Sequence, residues 1–368
     1  MAFSLPSFSR RASPALIGID ISTSSVKVVE LSDLGARGVG LLRYAIEPLE
    51  RGAIVEGNIE QPEAVAGALT RALRKSGSRI REAALAMPAS AVITKRIKLP
   101  AGLTEEDYEF QVESEASNYI PFPIEEVNLD FQLIGQPDVD GASVEEGELP
   151  EVDVLLVASR KEHVEDRIAL AEMCGLKPVV MDVDRYAAQT ALEYVLDGLP
   201  DPSTDQIIAV FDIGSVSTTL TVMLNGETVF ERDQAFGGQH LTQDLVRLYG
   251  LTPEEAELKK RSGDLPDGFH SDVLMPFIEQ GAANVTRTLQ FFFTSTEFSR
   301  VDRIYLSGGS SAIPGLVEAV GERSGVPTTL LMPFEGMVID SSIRERQLEQ
   351  DAPALVTACG LALRRFDA

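Results

Sequence analysis

Two stretches far apart in this chain share one plan: a β-branched apolar run ending in aspartate, a polar turn of small residues, and a second apolar run. The first is Asp20-Ile21-Ser22-Thr23-Ser24-Ser25-Val26-Lys27, the second Asp212-Ile213-Gly214-Ser215-Val216-Ser217-Thr218-Thr219. Each reads as a β-hairpin. A repeated hairpin implies a duplicated architecture. The 368 residues, 44% of them hydrophobic, supply enough chain for two cores, since one core rarely grows past about 250–300 residues.

A tight turn of small residues lets successive backbone N–H groups converge on an anion, and phosphate is the natural guest. Aspartate repels phosphate, but beside such a turn it can hold a hydrated Mg²⁺ that bridges phosphate oxygens. One hairpin of this kind commonly binds nothing. Two, with a third turn at Leu306-Ser307-Gly308-Gly309-Ser310-Ser311 following a strand, make a three-part pocket whose glycines permit close backbone approach.

Charge narrows the range of partners. The formal net charge of -25 repels nucleic-acid phosphates and anionic membrane surfaces, so no nucleic-acid partner is expected. Basic pairs at Arg10-Arg11 and Arg364-Arg365 are too few for a polybasic anchor. No apolar run approaches the roughly 18–20 residues that span a bilayer, so no transmembrane segment is expected. The arginine pair at 10–11 is followed by an apolar stretch, 15–19, cut short by Asp20, which argues against an export signal. Cys174 and Cys359 lie among apolar or small neighbours, as reduced thiols of a cytoplasmic protein would. His163, His240 and His270 show no metal-ligand spacing.

Pattern and punctuation divide the chain further. Residues 1–14 read as a flexible tail, and residues 15–90 as the core of a first lobe, with an amphipathic helix through Val65, Leu69 and Leu73. Residues 91–180 alternate strands and helices of their own, ending in a strand at Pro178–Met181, and read as an inserted α/β subdomain; the acidic stretch Gln136–Glu151 reads as a surface loop. Residues 181–200 and a closing helix at 353–365 rejoin the first lobe, with a boundary at Asp197–Asp205. Residues 206–345 make the second lobe, whose segment 235–300 caps the pocket. There a long helix runs from Val273 to about Phe298, with Gly281 as its weak point.

These motifs together resemble the nucleotide pocket of the actin, heat-shock chaperone and sugar-kinase superfamily. The resemblance implies a ribonuclease H-like duplicated α/β fold, with two lobes around a cleft that holds ATP or ADP with Mg²⁺. Within it the chain is similar to the PilM family of type IV pilus assembly proteins, and so to FtsA. The likeness rests on Ile17-Gly18-Ile19-Asp20, Ser24-Ser25-Val26-Lys27-Val28-Val29-Glu30-Leu31, Tyr119-Ile120-Pro121-Phe122, Val183-Asp184 and Ala358-Cys359-Gly360-Leu361-Ala362-Leu363-Arg364. The inserted unit matches the extra subdomain of that group.

The resemblance assigns nucleotide binding to Asp20, Ser22, Thr23, Ser24, Ser25 and Lys27 in the first hairpin, and to Asp212, Gly214, Ser215, Val216 and Ser217 in the second. Asp20 and Asp212 would hold Mg²⁺ through water. Gly308, Gly309 and Ser310 would run beside the adenosine, with Gly237 and Gly238 beneath the nucleotide. Glu257 and Lys260, three apart and so on one helix face, would contact ribose and base. An outward strand position is the other reading of Lys27, and a solvated ion pair that of Glu257 and Lys260. Ser22 stands where the family usually has glycine, a cost of about 1 kcal/mol if that position needs positive φ. Asp184, the candidate catalytic residue, stands where related proteins place a glutamate that orients water. Being one methylene shorter, it is expected to act as a helix N-cap, with ATPase activity slow or absent.

By the same resemblance the chain is an actin-like scaffold, cytoplasmic and peripheral to the inner membrane through partners. It would dock the cytoplasmic N-terminal tail of PilN in a groove between the first lobe and the insertion, reach PilO and PilP indirectly, and link this alignment complex to the pilus motor ATPases. Tyr119-Ile120-Pro121-Phe122 would line that groove or belong to the core. The alternatives are an FtsA-like cell-division anchor, which would need an amphipathic membrane helix, and a small-molecule kinase of the same superfold.

Overall fold

The computed structural model describes residues 15–134, 150–198 and 205–366. The expected tail at 1–14, nearly all of the acidic loop 136–151 and the centre of the boundary at 197–205 lie outside them.

The apolar runs flanking both aspartates form hairpins. β1 (Ile17–Ile21) pairs antiparallel with β2 (Ser25–Asp33), which pairs with β3 (Val39–Pro48). The short strands β4 (Ile54–Val55) and β5 (Asn58–Ile59) precede α1 (Pro62–Ser76) and β6 (Glu82–Met87). Val65, Ala68, Leu69, Ala72 and Leu73 lie on one side of α1 and are buried against the sheet, and Gly77 in the left-handed conformation ends the helix.

β7 (Val92–Pro100), α2 (Glu105–Ala116), β8 (Val127–Ile134) and β9 (Glu151–Arg160) form a separate three-stranded sheet with β9 at its centre. Its own core gathers Ile97, Leu99, Tyr108, Val112, Ile120, Val154 and Leu156. The Tyr119–Phe122 cluster divides. Ile120 is buried in this core, whereas Tyr119 and Phe122 are exposed.

The chain then returns through α3 (Lys161–Met173) to β10 (Lys177–Val183). The strand expected at 178–181 inside the insertion is part of β10, which pairs parallel with β6 in the first large sheet. The reason is burial: Leu170, Ala171 and Leu176 pack into the same core as α1 and β1. The large sheet therefore has the order β10-β6-β1-β2-β3, with a short later strand on its edge.

α4 (Asp184–Asp197) leads to the second hairpin, β11 (Ile207–Ile213) and β12 (Thr218–Leu224), and to β13 (Glu227–Gln234). α5 (Gln239–Tyr249) and α6 (Pro253–Ser262) follow; α6 opens on a capping box formed by Thr252 and Glu255. The long helix expected from 273 enters through a π-helical turn, His270–Leu274, and is α-helical as α7 (Met275–Ser295). Gly281 is buried where a Cβ would lie 3.0 Å from Leu316 and 3.4 Å from Phe236, so packing, not weakness, explains it. β14 (Arg303–Ser307), α8 (Leu316–Ser324) and β15 (Thr328–Leu330) complete a five-stranded sheet of order β13-β12-β11-β14-β15.

β16 (Val338–Ile339) adds in parallel to Gly40 and Leu41 at the edge of β3; α9 (Glu345–Asp351) and α10 (Val356–Leu363) close the chain. α10 packs in the middle of the molecule. A Cβ on Gly360 would sit 1.7 Å from the Ala187 carbonyl oxygen of α4, and one on Gly18 would sit 2.2 Å from that of Ala358. Helix–helix and helix–sheet contact this close admits glycine alone.

Candidate functional site

The two hairpins build the same turn twice. Asp20 lies opposite Lys27 and Asp212 opposite Thr219. The Ser22 N–H donates to the Ser25 carbonyl at 3.0 Å, as the Gly214 N–H does to Ser217 at 2.9 Å. Ser22 is therefore the counterpart of Gly214. It does not adopt positive φ: the non-glycine residues that do, among those described, are Glu56, Asp205 and Asn225. The expected strain is absent, and the Ser22 hydroxyl is used instead, donating to the Ser25 carbonyl at 3.0 Å and accepting from the Lys27 ammonium at 3.0 Å.

Lys27 does not point outward. Its ammonium lies 2.7 Å from Asp20 Oδ2, with side-chain exposures of 10% and 13%. The same positive charge opposes the effect of burial on Asp212, whose carboxyl is raised above its ordinary range chiefly by the surrounding protein. Asp212 still opens onto water in the cavity. Its Oδ1 accepts from the Ser307 hydroxyl at 3.1 Å.

The third turn locks onto the second hairpin. Gly308 has φ +85°, and a Cβ there would lie 2.5 Å from the Ile213 carbonyl oxygen and 2.6 Å from Asp212 Oδ1. Only glycine satisfies both demands. The Ser310 N–H donates to Ile213 at 3.0 Å, and its hydroxyl donates to Gly214 at 2.8 Å. Gly238 completes the floor, its N–H donating to the Gly214 carbonyl at 3.0 Å, while the next N–H, of Gln239, donates to Ser215 at 2.7 Å.

The α6 pair is more than a solvated ion pair. Lys260 Nζ donates to Glu257 Oε1 at 2.8 Å, to Thr242 Oγ1 at 2.8 Å and to the Gly238 carbonyl at 3.3 Å. Thr242 also hydrogen-bonds Glu257. Thr242, buried on α5, was not among the sequence candidates; its place one turn beyond Gly238 is the signal that could have found it.

Asp184 is not the N-cap of α4. That position is Val183, and Asp184 is the first helical residue. Its Oδ1 accepts from the Ala89 N–H at 3.0 Å and from the Arg185 N–H at 2.7 Å. Burial, and then the charge of Asp20, push its carboxyl up to about 7. Behind it Arg167, 3% exposed, donates to the carbonyls of Ala86 at 3.0 Å and Gly57 at 2.8 Å. Arg185 reaches across from α4 to form an ion pair with Glu231 on β13.

One cavity of about 2070 Å³ joins these parts. Asp20, Ser22, Thr23, Ser24, Ser25, Lys27 and Asp184 line it from one side, and Asp212, Gly214, Ser215, Val216 and Ser217 from the other. Gly238, Glu257, Lys260, Gly308, Gly309 and Ser310 also line it; Gly237 does not. Among the described residues no three His, Cys, Asp or Glu side chains gather into a metal site. Two carboxylates suit a cation that keeps most of its water and takes further oxygens from phosphate, so the donor set fits hydrated Mg²⁺. Among the described residues, no helix is long and apolar enough to cross a membrane.

A family model described as type IV pilus assembly protein PilM matches residues 18–366. A solved structure described as a PilM–PilN type IV pilus biogenesis complex is 30% identical, with a TM-score of 0.77 over 96% of this chain and 99% of that one. Cell division protein FtsA of Bacillus subtilis (strain 168) is 25% identical over 335 residues, covering 82% of this chain and 74% of FtsA. The ethanolamine utilization protein EutJ of Carboxydothermus hydrogenoformans shares the fold, at 19% identity and a TM-score of 0.55 over 95% of this chain and 89% of EutJ.

Proposed function

The chain belongs to the PilM family of type IV pilus assembly proteins and has the actin-like duplicated fold, and from that premise we propose that it is a nucleotide-dependent scaffold of the pilus machine. ATP or ADP lies in the cleft, with its phosphates between the Asp20 and Asp212 hairpins and its adenosine beside Gly308, Gly309 and Ser310. Glu257 and Lys260 contact the ribose and base. The observation that carries this reading is that both aspartate-headed turns open on one cavity.

Bound Mg²⁺, held by Asp20 and Asp212 through water, would neutralise phosphate charge. The chain's own groups do the rest. Backbone N–H groups of Thr23–Ser25 and Ser215–Ser217 orient the phosphates, and Lys27 supplies a cation beside them. Asp184 is the candidate to position water. Its carboxyl, raised to about 7, is partly protonated near neutrality, and its short side chain is tied to two backbone donors. Slow hydrolysis follows from both, so the nucleotide acts mainly by closing the cleft and setting the angle between the two large sheets.

The partner is the cytoplasmic tail of PilN. The related solved complex supports this, as does a small groove of about 160 Å³ between the three-stranded sheet and the start of α3. Ser90, Ile93, Phe122, Ser159, Arg160 and His163 line the groove, and the Arg160 guanidinium lies 5.4 Å from the centre of the Phe122 ring. Through PilN the chain would sit at the inner membrane, reach PilO and PilP, and face the motor ATPases. A labelled peptide of the PilN tail should bind the full chain saturably. It should lose about tenfold or more in affinity with Phe122→Ala; absence of binding in the apo, ADP and ATP states would refute the docking.

A further inference from the structure

We propose that the free edge of β3, with the apolar chamber beside it, is a docking site for an extended acidic segment of a partner protein, which adds there as a short strand. This site is separate from the groove at Phe122, and it does not rest on the nucleotide reading.

Three observations converge on it. The first is an unused row of backbone groups. β3 pairs with β2 along its whole length, but on its other side β16 covers only Gly40 and Leu41 before the chain turns away at Asp340. The Leu49 N–H donates to Ser24, so Leu49, Glu47, Ala45 and Arg43 face β2, and the alternation of an antiparallel ladder turns Tyr44 and Ile46 outward. Lys75 takes the Ile46 carbonyl at 2.9 Å, as that register requires. The N–H and C=O of Tyr44 and the N–H of Ile46 have no backbone partner among the described residues and are placed to receive a new strand.

The second is space. The central cavity, at about 2070 Å³, exceeds the roughly 300–1,000 Å³ of a small-molecule pocket. It extends to this end, where Tyr44, Ile46, Val210, Met223, Leu331 and Ile343 line it. Tyr44 and Ile46 pack against the cluster that holds Met223 and Leu331. A strand added beside β3 would therefore present every second side chain to an apolar wall supplied by both large sheets.

The third is charge. On a chain of net charge -25, the cavity here is bordered by Arg43, Arg51, Lys75 and Arg344. Glu47 is engaged by Arg71 and Lys75, Asp351 by the Tyr44 hydroxyl and Gln347, and Glu30 lies 3.8 Å from the Arg43 guanidinium. Arg51 and Arg344 make no ion pair among the described residues. An incoming acidic segment is the complementary occupant.

The test uses the full chain and a fluorescein-labelled peptide alternating glutamate and valine, read by fluorescence polarisation. Saturable binding is expected, with a lysine–valine peptide at least about tenfold weaker. Ile46→Pro removes an outward N–H without touching the β2 ladder and should abolish binding. Arg51→Glu with Arg344→Glu, at two border cations that make no ion pair among the described residues, leaves β3 untouched and should reverse the preference towards the lysine–valine peptide, which keeps the test decisive if the proline variant fails to fold. No binding, equal binding of both peptides, or affinity unchanged in the charge-reversed protein would overturn the proposal. So would concentration-dependent self-association lost in Ile46→Pro, since a second copy would then be the occupant.

Discussion

The Lys27 ammonium and Asp20 Oδ2 lie 2.7 Å apart, with little of either side chain in contact with solvent. Asp184 and Asp212 both feel the charge of Asp20, and Lys27 is the cation set among these acids. Lys27→Met leaves buried like charges unpaired, and removing one partner of a buried pair costs about 3–5 kcal/mol. Denaturant titration at neutral pH should show a loss of about 3 kcal/mol, and Asp20→Asn in the same chain should recover part of it.

Asp184 makes a pH-dependent prediction. The folded chain keeps a proton on this carboxyl up to about pH 7, whereas the unfolded chain releases it near pH 4. Between those values the folded state binds more protons, so the stability contributed by this group falls as pH rises, and the deficit persists above pH 7. Asp184→Asn keeps the oxygen that accepts from Ala89 and Arg185 but cannot ionise. It should be more stable than the parent at pH 8 by about 2–4 kcal/mol and differ little near pH 4. Unfolding free energies measured across that range check the slope.

Gly308 is fixed by both φ and space, its missing Cβ occupying the gap between Ile213 and Asp212. Gly308→Ala should cost about 3 kcal/mol or more of stability and destroy nucleotide binding, while Gly309→Ala, where a Cβ would meet only Ala354 at 3.8 Å, should be nearly neutral for stability. Thermal unfolding of the two variants side by side separates the requirement from general sensitivity of the turn.

The hairpins were legible because their chemistry is local. An apolar strand, an aspartate and a turn of small residues lie within eight consecutive positions, Asp20–Lys27 and Asp212–Thr219, and the structure sets both on one cavity. What escaped depends on contacts between distant segments. The membership of β10 in the first large sheet is decided by where α3 buries Leu170 and Ala171. Ser22 is costly only if its position needs positive φ, and neither it nor its counterpart Gly214 adopts one. The N-cap expectation for Asp184 failed because the residue starts α4 one position inside the helix and points back to Ala89, far away in sequence. Thr242 carries no motif and enters the site because α5 follows Gly238 directly.

The most direct test of the central claim, that one nucleotide is gripped by Asp20 and Asp212 together, is titration calorimetry of ATP with Mg²⁺ into the full chain, paired with thermal unfolding. Binding with one site per chain is predicted, and at a hundredfold excess over the dissociation constant the folded state should gain about 2.7 kcal/mol. Asp20→Asn and Asp212→Asn should each weaken it. No heat, no rise in unfolding temperature, or affinity unaffected by either substitution would contradict the account.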